Sequence, residues 1–343
     1  MKKYLVGGML SLLLLAGCNK DKEITNSLND YSNYMTTKGY NFGDKLDLPK
    51  NVTDNAESIT ISFGDKELNK LVIDPAYFTL GENDVTYNIK KKNGEVLQQD
   101  ATINVFAKNA PKSLTYEIVA DYPHDTKNFT EGFFLDGNTI YESVGLAGKS
   151  KLMKYSLGST TPALVVDQPA DIFSEGISIM GDKLYQLTYQ TKIGFIYDKN
   201  TFKLLNQFKS NGMIAEGWGL TTDGKNLITT DGTKNIYFLD PADPSKMIRF
   251  VAVADNNKVY DSLNEVEYHK GFIYSNVWQK PIILKINPAT GEIAGIFDLT
   301  KIVNENLVKD DKDAVLNGIA FKGNNMLITG KNWSKIYELK ISE

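Results

Sequence analysis

The chain has 343 residues, 42% apolar and 23% charged, with a formal net charge of −4. That length favours two domains over one, because single cores seldom grow past about 250–300 residues. The near-neutral, interspersed charge argues against a nucleic-acid footprint and a polybasic membrane patch, and a lone cysteine, Cys18, rules out a disulfide framework.

The first residues, MKKYLVGGMLSLLLLAGCNK, place two lysines before an apolar stretch from Tyr4 to Ala16 and a small-residue site. This is the pattern of a secretory signal, too short to span a bilayer. Leu15-Ala16-Gly17-Cys18 looks like a bacterial lipobox, in which the acylated Cys18 becomes the mature N-terminus. A signal over residues 1–18 and a lipid-anchored protein of the bacterial cell envelope are therefore expected, periplasmic or surface-exposed. The polar stretch 19–42 reads as a linker or tether. Residues 43–108 alternate in strand fashion, with an Asn-Gly hairpin turn at Asn93-Gly94, and predict a small immunoglobulin-like β-sandwich. Lys108-Asn109-Ala110-Pro111-Lys112 marks a boundary.

From about residue 114 to the end a short phrase recurs: EGFFLDGNTIYES from Glu131, EGISIMGDKLYQLTY from Glu175, WGLTTDGKNLITTDG from Trp218, NEVEYHKGFIYSNVW from Asn264 and NGIAFKGNNMLITGK from Asn317. The turn glycines Gly137, Gly181, Gly224, Gly271 and Gly323 are spaced by 44, 43, 47 and 52 residues. Hairpins repeating every 40–50 or so residues predict a β-propeller, here of five blades over 114–343. Thr115–Tyr122 and Lys335–Ile341 both alternate, so the two ends are expected to complete one blade together and close the ring. Equivalent positions of propeller blades converge at one end. Glu131, Glu175, Trp218, Asn264 with Glu265, and Asn317 would therefore form a polar and aromatic ring at the mouth.

Two histidines, His124 and His269, leave no His/Cys zinc set and no Cys-His nucleophile. GLAGKS (Gly145 to Ser150) lacks the upstream glycine of a phosphate cradle and reads as a loop. What remains is carboxylate, amide, lysine and aromatic chemistry. Glu175 has apolar neighbours, so burial would raise its pKa toward a range useful for proton transfer. A glutamate in a loop is ordinarily solvated, and Lys331 at a strand end is ordinarily a surface lysine. Trp218 and Trp278 are more often core than site. An acid recurring in several blades could equally form a structural hydrogen-bonding ring.

Phe129-Thr130-Glu131-Gly132, Phe173-Ser174-Glu175-Gly176, Glu216-Gly217-Trp218-Gly219, Leu263-Asn264-Glu265, Asn276-Val277-Trp278, and Leu316-Asn317-Gly318 with Thr329-Gly330-Lys331-Asn332-Trp333 occur in that order. Together they resemble the plant and bacterial glutaminyl cyclases, glutaminyl-peptide cyclotransferases of the five-bladed propeller type. The resemblance spans about residues 116–341 and says nothing of the N-terminal segment. It implies an acyltransferase that turns the N-terminal glutamine of peptides or proteins into pyroglutamate, needing no cofactor and no catalytic metal. It implies Glu175 as the catalytic acid and Asn264 and Lys331 as the amide-polarising pair. It places the pocket on Phe129, Phe173, Trp218 and Trp278, with Tyr189 where plant members have Trp and Glu131 where they have Gln. A structural cation in the axial channel, calcium held by backbone carbonyls, is also suggested by the family, and no sequence motif shows it. The rival expectations are a non-catalytic surface propeller that binds peptide or glycan, and a calcium-dependent propeller lactonase, whose acid and Asn set is not matched in order.

Overall fold

The computed structural model describes residues 10–64, 66–307 and 311–342, with Leu10–Lys20 and Met35 described by backbone alone. The chain divides into two compact units, Met1–Lys108 and Asn109–Glu343.

The first unit contains α1 (Leu10–Lys38), β1 (Tyr40–Asn41), α2 (Lys50–Asn55), β2 (Ala56–Phe63), β3 (Lys66–Leu68), β4 (Gly81–Lys91) and β5 (Val96–Phe106). Its described strands form one sheet in the order β1-β5-β4-β2-β3. The β4 strand shows why: Val85, Tyr87 and Ile89 are buried, while Glu82, Asp84 and Lys90 on the other face are exposed. A single half-buried sheet needs one covering layer, and α1 supplies it, lying against β5 with Ile24 and Leu28 buried. Two expectations are corrected here. The region 43–108 is one sheet backed by a helix rather than a two-sheet immunoglobulin-like sandwich. The presumed linker over 19–42 is helical as far as Lys38. Its Ile24, Leu28 and Tyr31 recur at helical spacing, which the surrounding Asn, Ser and Thr obscure. The Cys18 side chain lies outside the described residues. Among those residues no helix is long and apolar enough to cross a membrane.

In the second unit β6 (Lys112–Leu114) and β7 (Tyr116–Pro123) come first in sequence but join sheets formed later. The first sheet holds β8 (Thr130–Asp136), β9 (Thr139–Val144), β10 (Lys151–Ser156) and β11 (Leu164–Asp167). The second holds β12 (Ser174–Met180), β13 (Lys183–Thr188), β14 (Ile193–Asp198) and β15 (Leu204–Lys209). The third holds β16 (Leu220–Thr222), β17 (Leu227–Thr230), β18 (Asn235–Asp240) and β19 (Asp243–Ala252). In the fourth, β20 (Leu263–His269), β21 (Phe272–Val277), β22 (Ile282–Ile286) and β23 (Ile293–Asp298) gain β6 as a parallel edge. The fifth joins β24 (Leu316–Lys322), β25 (Asn325–Gly330) and β26 (Lys335–Ile341) to β7, which pairs antiparallel from Lys335↔Pro123 to Ile341↔Tyr116.

The first strands of these sheets touch in a cycle: β8 with β12, β12 with β16, β16 with β20, β20 with β24, and β24 with β8. Burial falls from this inner ring outward, from β12, buried along nearly its whole length, to β15, mostly exposed. Between each neighbouring pair of sheets lies an apolar layer. Phe133 and Ile140 pack on Leu327 and Ile336, closing the last sheet onto the first, as Tyr141 and Leu152 pack on Ile177 and Leu184 one step on. Each fully buried side chain of this size contributes about 1.5–3 kcal/mol, so ring closure is carried by packing, with no disulfide available.

Candidate active site

Four of the five inner strands break register with their neighbours near the mouth end. The shifts fall between Thr130 and Gly132, Ser174 and Ile177, Leu263 and Val266, and Leu316 and Ile319. A bulge re-aims a side chain out of the ladder, and the residues displaced here include Glu131, Glu175, Asn264 and Asn317. The glycine after each glutamate is required by close approach. A Cβ on Gly176 would sit 2.5 Å from the backbone of Trp218 and Leu220, and one on Gly132 would sit 2.6 Å from the Ile177 nitrogen. The Gly176 amide donates to the Trp218 carbonyl at 2.7 Å, fixing the second sheet against the third beside Glu175.

These side chains enter a cavity of about 300 Å³ lined by Phe129, Glu131, Phe173, Glu175, Tyr189, Trp218, Asn264, Trp278 and Lys331, with Leu146 and Asp313 completing it. Every site residue that the family resemblance implies within the second unit is thus in one place. Its walls are aromatic: Phe129 meets Phe173 edge-on at 6.3 Å between ring centres, Phe173 meets Tyr189 at 5.5 Å, and Trp218 meets Trp278 edge-on at 6.0 Å. Trp218 is held by its indole N–H, which donates to Glu216 at 3.0 Å, and Gln190 donates to the other oxygen of that carboxylate.

The polar groups of the cavity fall into two sets. Lys331 Nζ donates to Glu131 Oε1 at 2.7 Å and lies 4.5 Å from the centre of the Phe129 ring. Asn317 Nδ2 donates to Glu131 Oε2 at 2.9 Å and to the Thr130 carbonyl at 2.8 Å. Burial pushes the Glu131 carboxyl up, and Lys331 and Asn317 work against that rise. Glu175 is as deeply buried and accepts no hydrogen bond among the described residues. Burial first, and then the charge of Glu131, hold its pKa well above the usual carboxylate range, with Lys331 opposing. Asn264 is 2% exposed, and its Oδ1 has no partner among the described residues. Of the two carboxyls, Glu175 is the one pushed further toward its protonated form, and it faces a cavity in which the amide oxygen of Asn264 also lacks a partner among the described residues. A carboxyl held toward its acid form, an amide N–H donor on Asn264 and an ammonium group in an aromatic chamber can pass a proton and stabilise a developing oxyanion.

Glu265, grouped with the mouth residues from its position in the repeat, does not line the cavity. Its Oε2 accepts the backbone N–H of Ile319 at 3.0 Å, bracing β24. Leu146 and Asp313 were not anticipated. Leu146 belongs to the loop from Gly145 to Ser150 and adopts φ +78°, uncommon for a leucine and a local strain that the site retains. Asp313 sits in a charged turn with no distinguishing pattern. Calcium takes about six to eight oxygen ligands. Among the described residues no cluster of three or more His, Cys, Asp or Glu side chains is placed to hold a metal.

Residues 90–341 match the glutamine cyclotransferase family. A glutaminyl-peptide cyclotransferase of Arabidopsis thaliana is 35% identical over 232 residues, 66% of this chain and 71% of the relative. The crystal structure of Myxococcus xanthus glutaminyl cyclase matches with a TM-score of 0.61 at 30% identity, covering 68% of this chain and 98% of that one.

Proposed function

Because this chain belongs to the glutamine cyclotransferase family, we propose that it converts the N-terminal glutamine of peptides or proteins to pyroglutamate and releases ammonia. The observation that carries the reading is the buried Glu175, which accepts no hydrogen bond among the described residues, sharing an aromatic cavity with Asn264, whose Oδ1 has no partner there either. The ring of sheets is read as a five-bladed β-propeller, supported by the cyclic contact of the inner strands.

The α-amine of the substrate attacks its own side-chain amide carbon. A C–N bond forms, the carbonyl oxygen becomes an oxyanion, and the original amide C–N bond breaks as ammonia leaves. Glu175, once ionised, takes the proton lost by the amine and returns it to the departing nitrogen, so one carboxyl serves as base and then acid. Asn264 and Lys331 donate to the oxyanion. Phe129, Phe173, Tyr189, Trp218 and Trp278 exclude water and hold the glutamine in its ring-closing conformer. Glu131 pairs with Lys331, and in this reading it also attracts the substrate's α-ammonium before the amine is deprotonated. Side chains supply every group these steps need.

The assay is ammonia release from a Gln-initiated dipeptide, with an Asn-initiated dipeptide as control. Turnover of the first alone supports the reading, and a folded protein that releases ammonia from neither contradicts it. We also infer lipid anchoring at Cys18 in a bacterial cell envelope, from the lipobox-like segment. Cys18→Ser should then move the protein from the membrane to the soluble fraction, and continued membrane retention would rule this out.

A further inference from the structure

We propose that a groove beside the cavity binds the peptide that follows the N-terminal glutamine and favours acidic residues there. This rests on the cyclase reading above. A 300 Å³ chamber has room for the reacting residue, so the remainder of a peptide substrate must leave through the mouth. A second depression of about 760 Å³ opens there and shares Phe129 and Leu146 with the chamber as common walls. A chain leaving past those two side chains enters it directly.

The groove is positively charged. Lys127, Lys149 and Lys151 line it, against one carboxylate, Asp311. None of the three lysine ammonium groups is paired with a carboxylate among the described residues. Asp311 already accepts from Asn332 Nδ2 at 2.9 Å. Asp125, the nearest acid in sequence, accepts the backbone N–H of Lys127 at 3.0 Å. A local excess of cations on a chain of net charge −4 is a departure from the whole, and charge complementarity of this kind selects partners more than it binds them.

The cationic loop is also tied to the catalytic strand. Lys149 N–H and Ser150 Oγ both donate to the Leu146 carbonyl, at 2.9 and 3.0 Å, and Ser150 Oγ accepts the Ser174 N–H at 3.0 Å. Ser174 precedes Glu175, so the backbone that carries Lys149 is held in fixed relation to the strand of Glu175, which a subsite needs.

The test measures kcat/KM of the full chain for Gln-Glu-Glu, Gln-Ala-Ala and Gln-Lys-Lys tripeptides, with single and triple alanine variants of Lys127, Lys149 and Lys151. The acidic-to-neutral ratio is the readout, because it does not depend on the fraction of protein folded. The parent should favour the acidic peptide about tenfold over the neutral one, mainly through KM, as several partly screened charge pairs would give. That preference should shrink in about 0.5 M salt and approach unity in the triple variant. Equal kcat/KM for acidic and neutral peptides in the parent overturns the subsite, as does a preference that survives in the triple variant. A parent that turns over none of the three peptides overturns the cyclase reading itself, and the subsite with it.

Discussion

Two glutamates of the second unit are both removed from water and opposite in character. Glu142, on β9, is fully buried and accepts from Thr130 at 2.7 Å, Tyr155 at 2.7 Å and Asn128 at 3.0 Å, and it pairs with His124 at 3.0 Å. Burial alone would raise it, but the His124 charge and these donors reverse the sign and hold it below the usual carboxylate range. Glu175, on β12, has no donor, and burial and Glu131 drive it well above that range. Burial is common to both, so the partners decide the outcome. A satisfied buried carboxylate is an anchor. An unsatisfied one is available as a reagent, and the proposed proton transfer would account for its retained cost to stability.

The comparison breaks most visibly at Glu175. Glu175→Gln should lower turnover by about 10²–10⁴-fold, since an amide can neither accept nor return the proton. The same variant should unfold less readily than the parent toward neutral pH. Above the unfolded-state value of about 4.3 and up to its raised native value, the folded chain keeps a proton that the unfolded chain has released. Stability conferred by that group therefore falls as pH rises through the window, and the glutamine variant lacks the slope. Kinetics and denaturation curves against pH check both halves.

Glu142→Ala should act the other way round, on stability before chemistry. Removing one partner from a buried pair costs about 3–5 kcal/mol, here leaving His124 and three donors stranded. Chemical denaturation should show it. A loss of turnover at unchanged stability would mean that Glu142 belongs to the reaction.

Asn264→Ala should reduce kcat by about 10²–10³-fold, the scale of one oxyanion donor. A change confined to KM would reassign Asn264 to ground-state binding.

Glu131→Gln should have the smallest effect, keeping measurable activity. It removes the charge that raises Glu175 and frees that of Lys331, so Glu175 should ionise more easily and the acid limb of the pH–rate profile should move to lower pH. Abolished turnover would show that Glu131 shares the proton transfer.

Much of this contrast can be read along the chain, and some of it cannot. The recurring turn glycines expose the repeat, and the Glu-Gly pairs in corresponding positions expose residues that meet at the mouth. The apolar neighbours of Glu175 foretell its raised pKa. Corresponding positions do not reveal partners, however. Lys331 and Glu131 are 200 residues apart, and they meet only because the last sheet closes onto the first. Glu265 has the same repeat position as Asn264's neighbourhood and yet braces a strand, since the bulge decides which of two adjacent side chains faces the cavity. In the first unit Ile24, Leu28 and Tyr31 do carry a helical period, but three such positions in a polar stretch are a weak signal against a strong linker-like composition.

The most direct test of the contrast is a titration of the two carboxyls by ¹³C NMR on glutamate-labelled protein. Glu175→Gln assigns one resonance and Glu142→Gln the other. The account predicts that the Glu175 resonance titrates well above the usual glutamate range, while that of Glu142 stays ionised below it. A Glu175 that titrates at or below an ordinary value of about 4.3 would contradict it.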